Sequence, residues 1–137
     1  MTFKGLANSN GIRLSSIGSP DAIDISYKKN DGEWAAYTIS DIIELAENDT
    51  VMFSGANNSF SKDMNNYYRF QMTGTIEADG NIQSLMDYSN SVPAYCYRSL
   101  FDSCTSLTKA PQLPATTLAD SCYTWMFYDC SNLLSTP

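Results

Sequence analysis

Residues 96–111 recur, 26 positions further on, as residues 122–137. Cys96 falls on Cys122, Tyr97 on Tyr123, Phe101 on Phe127, Cys104 on Cys130, Leu107 on Leu133 and Pro111 on Pro137, six identities in sixteen positions. Leu100 on Met126, Thr105 on Ser131 and, just upstream, Val92 on Leu118 are similar. A fixed period on the order of 20 to 50 residues means stacked supersecondary units, because one such unit is too thin to bury its own apolar face. The repeat therefore predicts turns of chain in which Cys104-Thr105-Ser106-Leu107 and Cys130-Ser131-Asn132-Leu133 point their Cys and Leu inward. It predicts a short helix over residues 119–128 on the opposite side, with Cys122, Met126 and Phe127 inward at i, i+4 and i+5. Pro111, Pro114 and Pro137 mark bends between faces, since proline donates nothing to a ladder.

The chain upstream is punctuated differently. All seven glycines lie between Gly5 and Gly80, all four cysteines at or after Cys96, and four of the five prolines at or after Pro93. Two styles of punctuation predict two architectures, with the change near residues 86–92: a β-sandwich domain over 1–88 and the start of the repeats over 89–137. Ile12 and Leu14 alternate with polar neighbours, as do Ile23, Ile25 and Tyr27, then Val51 and Phe53, then Tyr68, Phe70 and Met72. Period-two alternation puts one face on a core and the other in water. Asn30-Asp31-Gly32 is the strongest hairpin signal, with Gly expected to supply the positive φ of the turn; it joins residues 23–28 to a strand carrying Trp34 and Tyr37. Residues 40–44 fit a helix start, with Asp41 and Glu44 at capping-box spacing, or a short strand. The strand is favoured because a hairpin into Val51–Phe53 would follow from it. Residues 56–66, rich in Asn and Ser, read as a long surface loop.

Composition narrows the function. With 43% hydrophobic and 17% charged residues the 137-residue chain reads as folded. The net charge is −7, and the eight cations are spread singly apart from Lys28-Lys29, itself a solvated strand end. That argues against nucleic acid, which demands clustered cations, and against an anionic membrane surface. There is no histidine, so no Ser-His-Asp or Cys-His arrangement exists and the commonest metal ligand is missing. No Gly-rich phosphate loop occurs. No apolar run approaches ~18 residues, so membrane insertion is not expected. Met1 leads directly into Thr2-Phe3-Lys4-Gly5-Leu6 without the charged and apolar regions of a signal peptide; either a signal has been removed or none is used.

The spacing Cys-x7-Cys-x2-Leu-x3-Pro, followed by Leu113-Pro114-Ala115-Thr116-Thr117-Leu118, resembles the BspA-like leucine-rich repeats of bacterial surface proteins, and a 26-residue period lies within the leucine-rich-repeat range. The first 86 residues resemble the β-domain that often precedes such repeats in gut Bacteroidetes proteins. The matching stretches are Pro20-Asp21-Ala22-Ile23-Asp24, Trp34-Ala35-Ala36-Tyr37, residues 67–74, and Gly80-Asn81-Ile82-Gln83-Ser84-Leu85. Together the resemblance covers nearly the whole chain. It implies a mainly β fold, an N-terminal antiparallel β-sandwich followed by leucine-rich-repeat solenoid turns, displayed on a cell surface and binding proteins or glycans, with no catalytic residues. Two departures stand against it. No signal peptide or lipoprotein cysteine is present, and the sequence stops at Pro137 inside its second repeat, which suggests a piece of a longer protein with the sandwich as its N-terminal cap.

The candidate sites are few. The four cysteines could be buried free thiols, the favoured reading, or form disulfides between stacked equivalents, Cys96 with Cys122 or Cys104 with Cys130. In a helix, Cys96 and Cys104 would stand ~12 Å apart, too far for a bridge. A metal site built from all four is the weakest reading, because Cys-x7-Cys is not zinc spacing. Trp125 and Tyr128 are the ligand-binding candidates. Their equivalents one repeat earlier are the polar Ser99 and Asp102, which predicts that both positions face solvent, where aromatic rings serve as contact surfaces; packing on a neighbouring repeat is the competing reading. Of Tyr67 and Tyr68, alternation sends one into the core. Asp79-Gly80-Asn81 is a turn, being too short for a calcium loop.

These residues lead to a non-enzymatic surface recognition, adhesion or display protein, without cofactor or metal, that meets a bacterial or host surface protein or glycan through the concave face of the solenoid. Its expected location is extracellular or at the cell surface. One alternative is a virion protein of a phage, a head or tail fibre or a decoration protein, which would need no signal peptide and would form a homo-oligomer, a trimer in the case of a fibre. Another is an accessory module of a glycan-acting hydrolase. The missing histidine, and the lack of any paired carboxylates, argue against that one.

Overall fold

The computed structural model describes residues 1–135 and residue 137, and the fold is mainly β with almost no helix. The strands are β1 (Thr2–Gly5), β2 (Ser9–Ile17), β3 (Ile25–Lys29), β4 (Ala35–Ala36), β5 (Ile43–Ala46), β6 (Thr50–Gly55), β7 (Ser61–Asp63), β8 (Asn66–Thr73), β9 (Ile76–Asp79), β10 (Ser91–Val92), β11 (Leu107–Lys109) and β12 (Thr117–Leu118). One sheet has the order β11-β9-β1-β6-β3-β4 and is antiparallel except where β11 runs parallel to β9. A second, wholly antiparallel sheet has the order β5-β2-β8-β7. A short parallel pair, β10 with β12, stands apart.

Alternation decides which faces meet. Phe3 of β1 and Phe53 of β6, from the first sheet, converge on Phe70 of β8, from the second, with ring centroids 5.0 and 5.4 Å away. All three are buried, and each such side chain contributes roughly 1.5–3 kcal/mol through the area it removes from water. Asn10, 3% exposed, fastens the edge of this core. Its amide donates to the carbonyls of Ala7 (2.8 Å) and Leu45 (3.0 Å), and its oxygen accepts from the N–H groups of Ala7 and Thr75. A buried polar group stays cheap only when it is satisfied in this way.

Several local expectations change. The β3–β4 hairpin forms, with Tyr27 opposite Ala35, but the positive φ at its turn belongs to Asn30 (51°) and not to Gly32. Asn tolerates that region because its side chain bonds locally, and Asn30 Oδ1 accepts the Thr50 N–H at 2.9 Å. Residues 43–46 are a strand, yet they make no hairpin with β6. β5 lies at the edge of the second sheet beside β2, while β6 lies between β1 and β3. The core needs a wall from each sheet, and Leu45 and Phe53 supply opposite walls. Residues 56–66 are not simply a surface loop: Phe60 is fully buried against Tyr68 and Tyr97, and β7 pairs with β8.

The expected helix over residues 119–128 is absent; the segment is a run of tight turns. Positive φ angles recur every four residues, at Tyr95, Ser99 and Ser103, and 26 residues later at Ser121, Trp125 and Asp129. No α-helix survives such an interruption, since left-handed residues occur singly and not as helix. The hydrogen bonds divide accordingly. Even-numbered N–H groups from Cys96 to Cys104 bond three residues back. Odd-numbered ones, Tyr95, Tyr97, Ser99, Phe101 and Ser103, donate across to the carbonyls of Asp120, Cys122, Thr124, Met126 and Tyr128. Two flat coils are thereby laid one on the other.

The first coil is laid on the sheets in the same manner. Phe70 donates its N–H to Leu100 at 2.7 Å, β11 extends the first sheet at β9, and the Ser61 hydroxyl donates to the Tyr95 carbonyl. Like side chains form columns through the layers: Phe70, Phe101 and Phe127, and Phe60, Tyr97 and Tyr123. The apolar core runs unbroken across residues 86–92, where the sequence changes character.

Candidate functional site

The turn ribbon brings Trp125 and Tyr128 together on its outer side. Trp125 sits at a left-handed position (φ 55°), and its ring centroid is 5.6 Å from that of Tyr128, the planes tilted by 31°. The rings are 57% and 61% exposed. Arg98 braces the pair from the preceding coil, its guanidinium carbon 5.0 Å from the Trp125 centroid and 5.7 Å from that of Tyr67 on β8. The arginine is itself buried, and its Nη1 donates to the Met64 carbonyl at 2.9 Å. A cation held over an aromatic face is worth about 0.5–2 kcal/mol, more as it is desolvated. Tyr67, Arg98, Trp125 and Tyr128 thus form one continuous strip from the second sheet to the outer coil.

The polar equivalents that suggested exposure behave differently from each other. Asp102 is half-buried, but Ser99 is enclosed, 1% exposed, and its Oγ has no partner among the described residues. Trp125 is therefore open to solvent because of the layer it occupies and not because of its place in the repeat. Arg98 was not singled out by its sequence; a lone arginine between two distant aromatics carries no local signal. Of the pair Tyr67 and Tyr68, which alternation divides between core and surface, Tyr67 is the half-buried ring that meets Arg98. Tyr68, by contrast, is a core residue whose hydroxyl donates to the Asp21 carbonyl at 2.8 Å.

The cysteines are four free thiols, three buried and Cys130 half-buried. The Cys104 thiol donates to the Phe70 carbonyl (3.1 Å), and the Cys130 thiol makes the equivalent bond to Phe101 (2.9 Å) one layer on. Burial pushes the Cys96 thiol up to about 11 and that of Cys104 to about 12, so both stay protonated and unreactive at neutral pH. Among the described residues no three Cys, Asp or Glu side chains converge to hold a metal ion. Asp79 accepts the Gly80 N–H, and Asn81 caps the 3-10 turn at Ile82–Leu85, which makes 79–81 a structural turn.

A cleft of about 470 Å³ lies between residues 20–24 and 56–62. Its polar groups largely hold its own walls together: Asn57 bonds both the N–H and the carbonyl of Asp24. Compared with protein-family models, curated proteins and solved structures, the chain gives no significant match to any of them.

Proposed function

We propose that this protein is a non-enzymatic surface recognition or display protein: a β-sandwich that begins a solenoid of the BspA-like leucine-rich-repeat kind and binds a glycan or protein partner on another surface. The observation that carries the reading is the exposed Trp125–Tyr128 pair with Arg98 set behind it. Two large rings held by packed neighbours give contact area at little entropic cost, and apolar sugar faces or aliphatic side chains fit such a platform. The proposed location is the outside of a cell, with a phage virion as the second possibility.

A glycan array, followed by titration of the best hit with tryptophan emission as readout, tests the platform. Trp125→Ala and Tyr128→Ala are expected to weaken binding tenfold or more, since a central aromatic anchor is worth about 2 kcal/mol or above. Unchanged affinity in both variants would remove the platform from the proposal. Mass spectrometry of envelope extracts and purified virions from the source decides between the two locations.

A further inference from the structure

The outer face of the second sheet holds a hollow of about 300 Å³ between Ile42, just before β5, and the paired strands β2 and β8. Gly11 stands opposite Thr73 there, and Arg13 opposite Gln71. Gly11 makes the space: a Cβ on it would come within 2.9 Å of Thr73 Oγ1 and 3.5 Å of Ile42 Cγ2. Ile42 is 63% exposed and forms an apolar wall. Arg13 Nε donates to Gln71 Oε1 at 2.8 Å, and the Ser15 hydroxyl donates to the same oxygen at 2.9 Å. The arginine Nε–H can only donate, so the amide must keep its oxygen on that side. Gln71 Nε2 and both terminal nitrogens of Arg13 are left without an acceptor among the described residues. The three ion pairs among those residues all use lysines. Glu44, opposite Gly11 on β5, is exposed and makes no ion pair with Arg13. Phe70 lies opposite Leu14 of β2 but turns its N–H the other way, to Leu100 of the first coil. The coils are thus laid on the side of β8 away from β2, and further coils laid in the same manner leave the hollow open.

We propose that this hollow binds an acidic sugar, its carboxylate on Arg13 and its ring against Ile42. The free end of a guanidinium presents two parallel N–H groups, the geometry that a carboxylate accepts, and the bond from Nε to Gln71 holds that end in place. Gln71 Nε2 and the Thr73 hydroxyl are placed for the oxygens beside the carboxylate, and the aliphatic Ile42 suits the C–H face of a ring. Polarity selects the occupant. Arg13 and the free nitrogen of Gln71 only donate, so they favour a ligand rich in acceptors. A sugar acid brings carboxylate and hydroxyl oxygens, whereas a peptide end brings N–H groups that would need acceptors of their own. The site is separate from the Trp125–Tyr128 platform, and only the choice of a sugar as carrier of the carboxylate rests on the glycan-binding reading above.

The test is an NMR titration of the intact protein with methyl glucuronide, read at the backbone amides of Gly11, Arg13 and Thr73. Saturable shifts are expected. Methyl glucoside, the neutral counterpart, and acetate should each bind roughly tenfold or more weakly, the first for want of the charged hydrogen bonds and the second for want of the ring contacts. Arg13→Gln should remove the preference for glucuronide over glucoside, and Arg13→Lys should restore only part of it, since lysine lacks the planar fork. Gly11→Ala, which keeps the arginine and fills the space, should weaken glucuronide as well. Trp125→Ala alters the platform and no group of the hollow, so it should leave the titration unchanged, and the two sites fail independently. Equal binding of glucuronide and glucoside, or no shift with either, would overturn the proposal, as would a preference that survives Arg13→Gln. Acetate as tight as glucuronide would reduce the hollow to a bare anion site, and an N-acetylated dipeptide as tight would put a polypeptide end in the sugar's place; either result overturns the sugar.

Discussion

Phe101 and Phe127 lie one repeat apart with ring centroids separated by 5.5 Å and planes 1° from parallel. Phe70 continues the column on the other side of Phe101, at 5.5 Å and 13°. The middle ring is therefore covered on both faces and the outer ring on one. Phe101→Ala should cost about 3–5 kcal/mol and Phe127→Ala distinctly less, because the cavity term depends on how completely a site is enclosed. Urea denaturation of both variants measures the difference. Equal costs would mean that the outer coil is packed as tightly as the inner one.

Arg98 joins three elements with one side chain, through the Met64 carbonyl, the Tyr67 ring and the Trp125 ring. Arg98→Ala should destabilise by about 1–3 kcal/mol, from the lost charged hydrogen bond and the two ring contacts. Arg98→Lys should recover only part of this, since a lysine lacks the flat guanidinium that faces a ring. Full rescue by lysine, in the same denaturation assay, would show that charge alone matters there.

Two glycines separate backbone strain from steric clash. Gly74 (φ 79°) and Gly80 (φ 77°) share a left-handed conformation, but a Cβ on Gly74 would stand 2.5 Å from the Ser9 carbonyl oxygen, whereas one on Gly80 meets nothing nearer than 3.7 Å. Gly80→Ala should cost about 1–2 kcal/mol from conformation alone. Gly74→Ala must also push back the β2 backbone at Ser9 and Asn10, so its thermal midpoint should fall well below that of the Gly80 variant. Similar midpoints would contradict the close approach.

Alkaline pH should destabilise the fold. Burial raises the thiols of Cys96 and Cys104 to about 11 and about 12 from 9.0, and raises Tyr97 and Tyr123 from 10.0. A group kept neutral by the fold but free to ionise in the unfolded chain contributes stability that is complete below its unfolded value and lost as pH rises towards the folded one. The unfolding free energy should then fall, and the urea midpoint with it, as pH rises from 9 towards 11, with the well-buried Cys96 thiol contributing on the order of 1.4 kcal/mol per pH unit across that interval. Cys104→Ala should lessen the slope. A midpoint flat across that interval would mean that the thiols are open to solvent.

The repeat alone determined which residues meet across the coils. Equal spacing stacks like on like, so Tyr97 finds Tyr123 and Phe101 finds Phe127 whatever the backbone does between them. Period-two alternation likewise placed Leu14, Phe53 and Phe70 in the core. What the tertiary structure decided is the backbone of the repeat. Inward residues four apart, such as Cys122 and Met126, suit a helix, but they suit equally a ribbon of turns with a left-handed residue at every fourth position. The two differ only in where alternate N–H groups go, along the chain or across to the next coil, and that depends on a neighbour 26 residues away. The aromatic strip was hidden for the same reason: Tyr67, Arg98 and Trp125 are distant in sequence and become adjacent only when the coils are laid on the sheet.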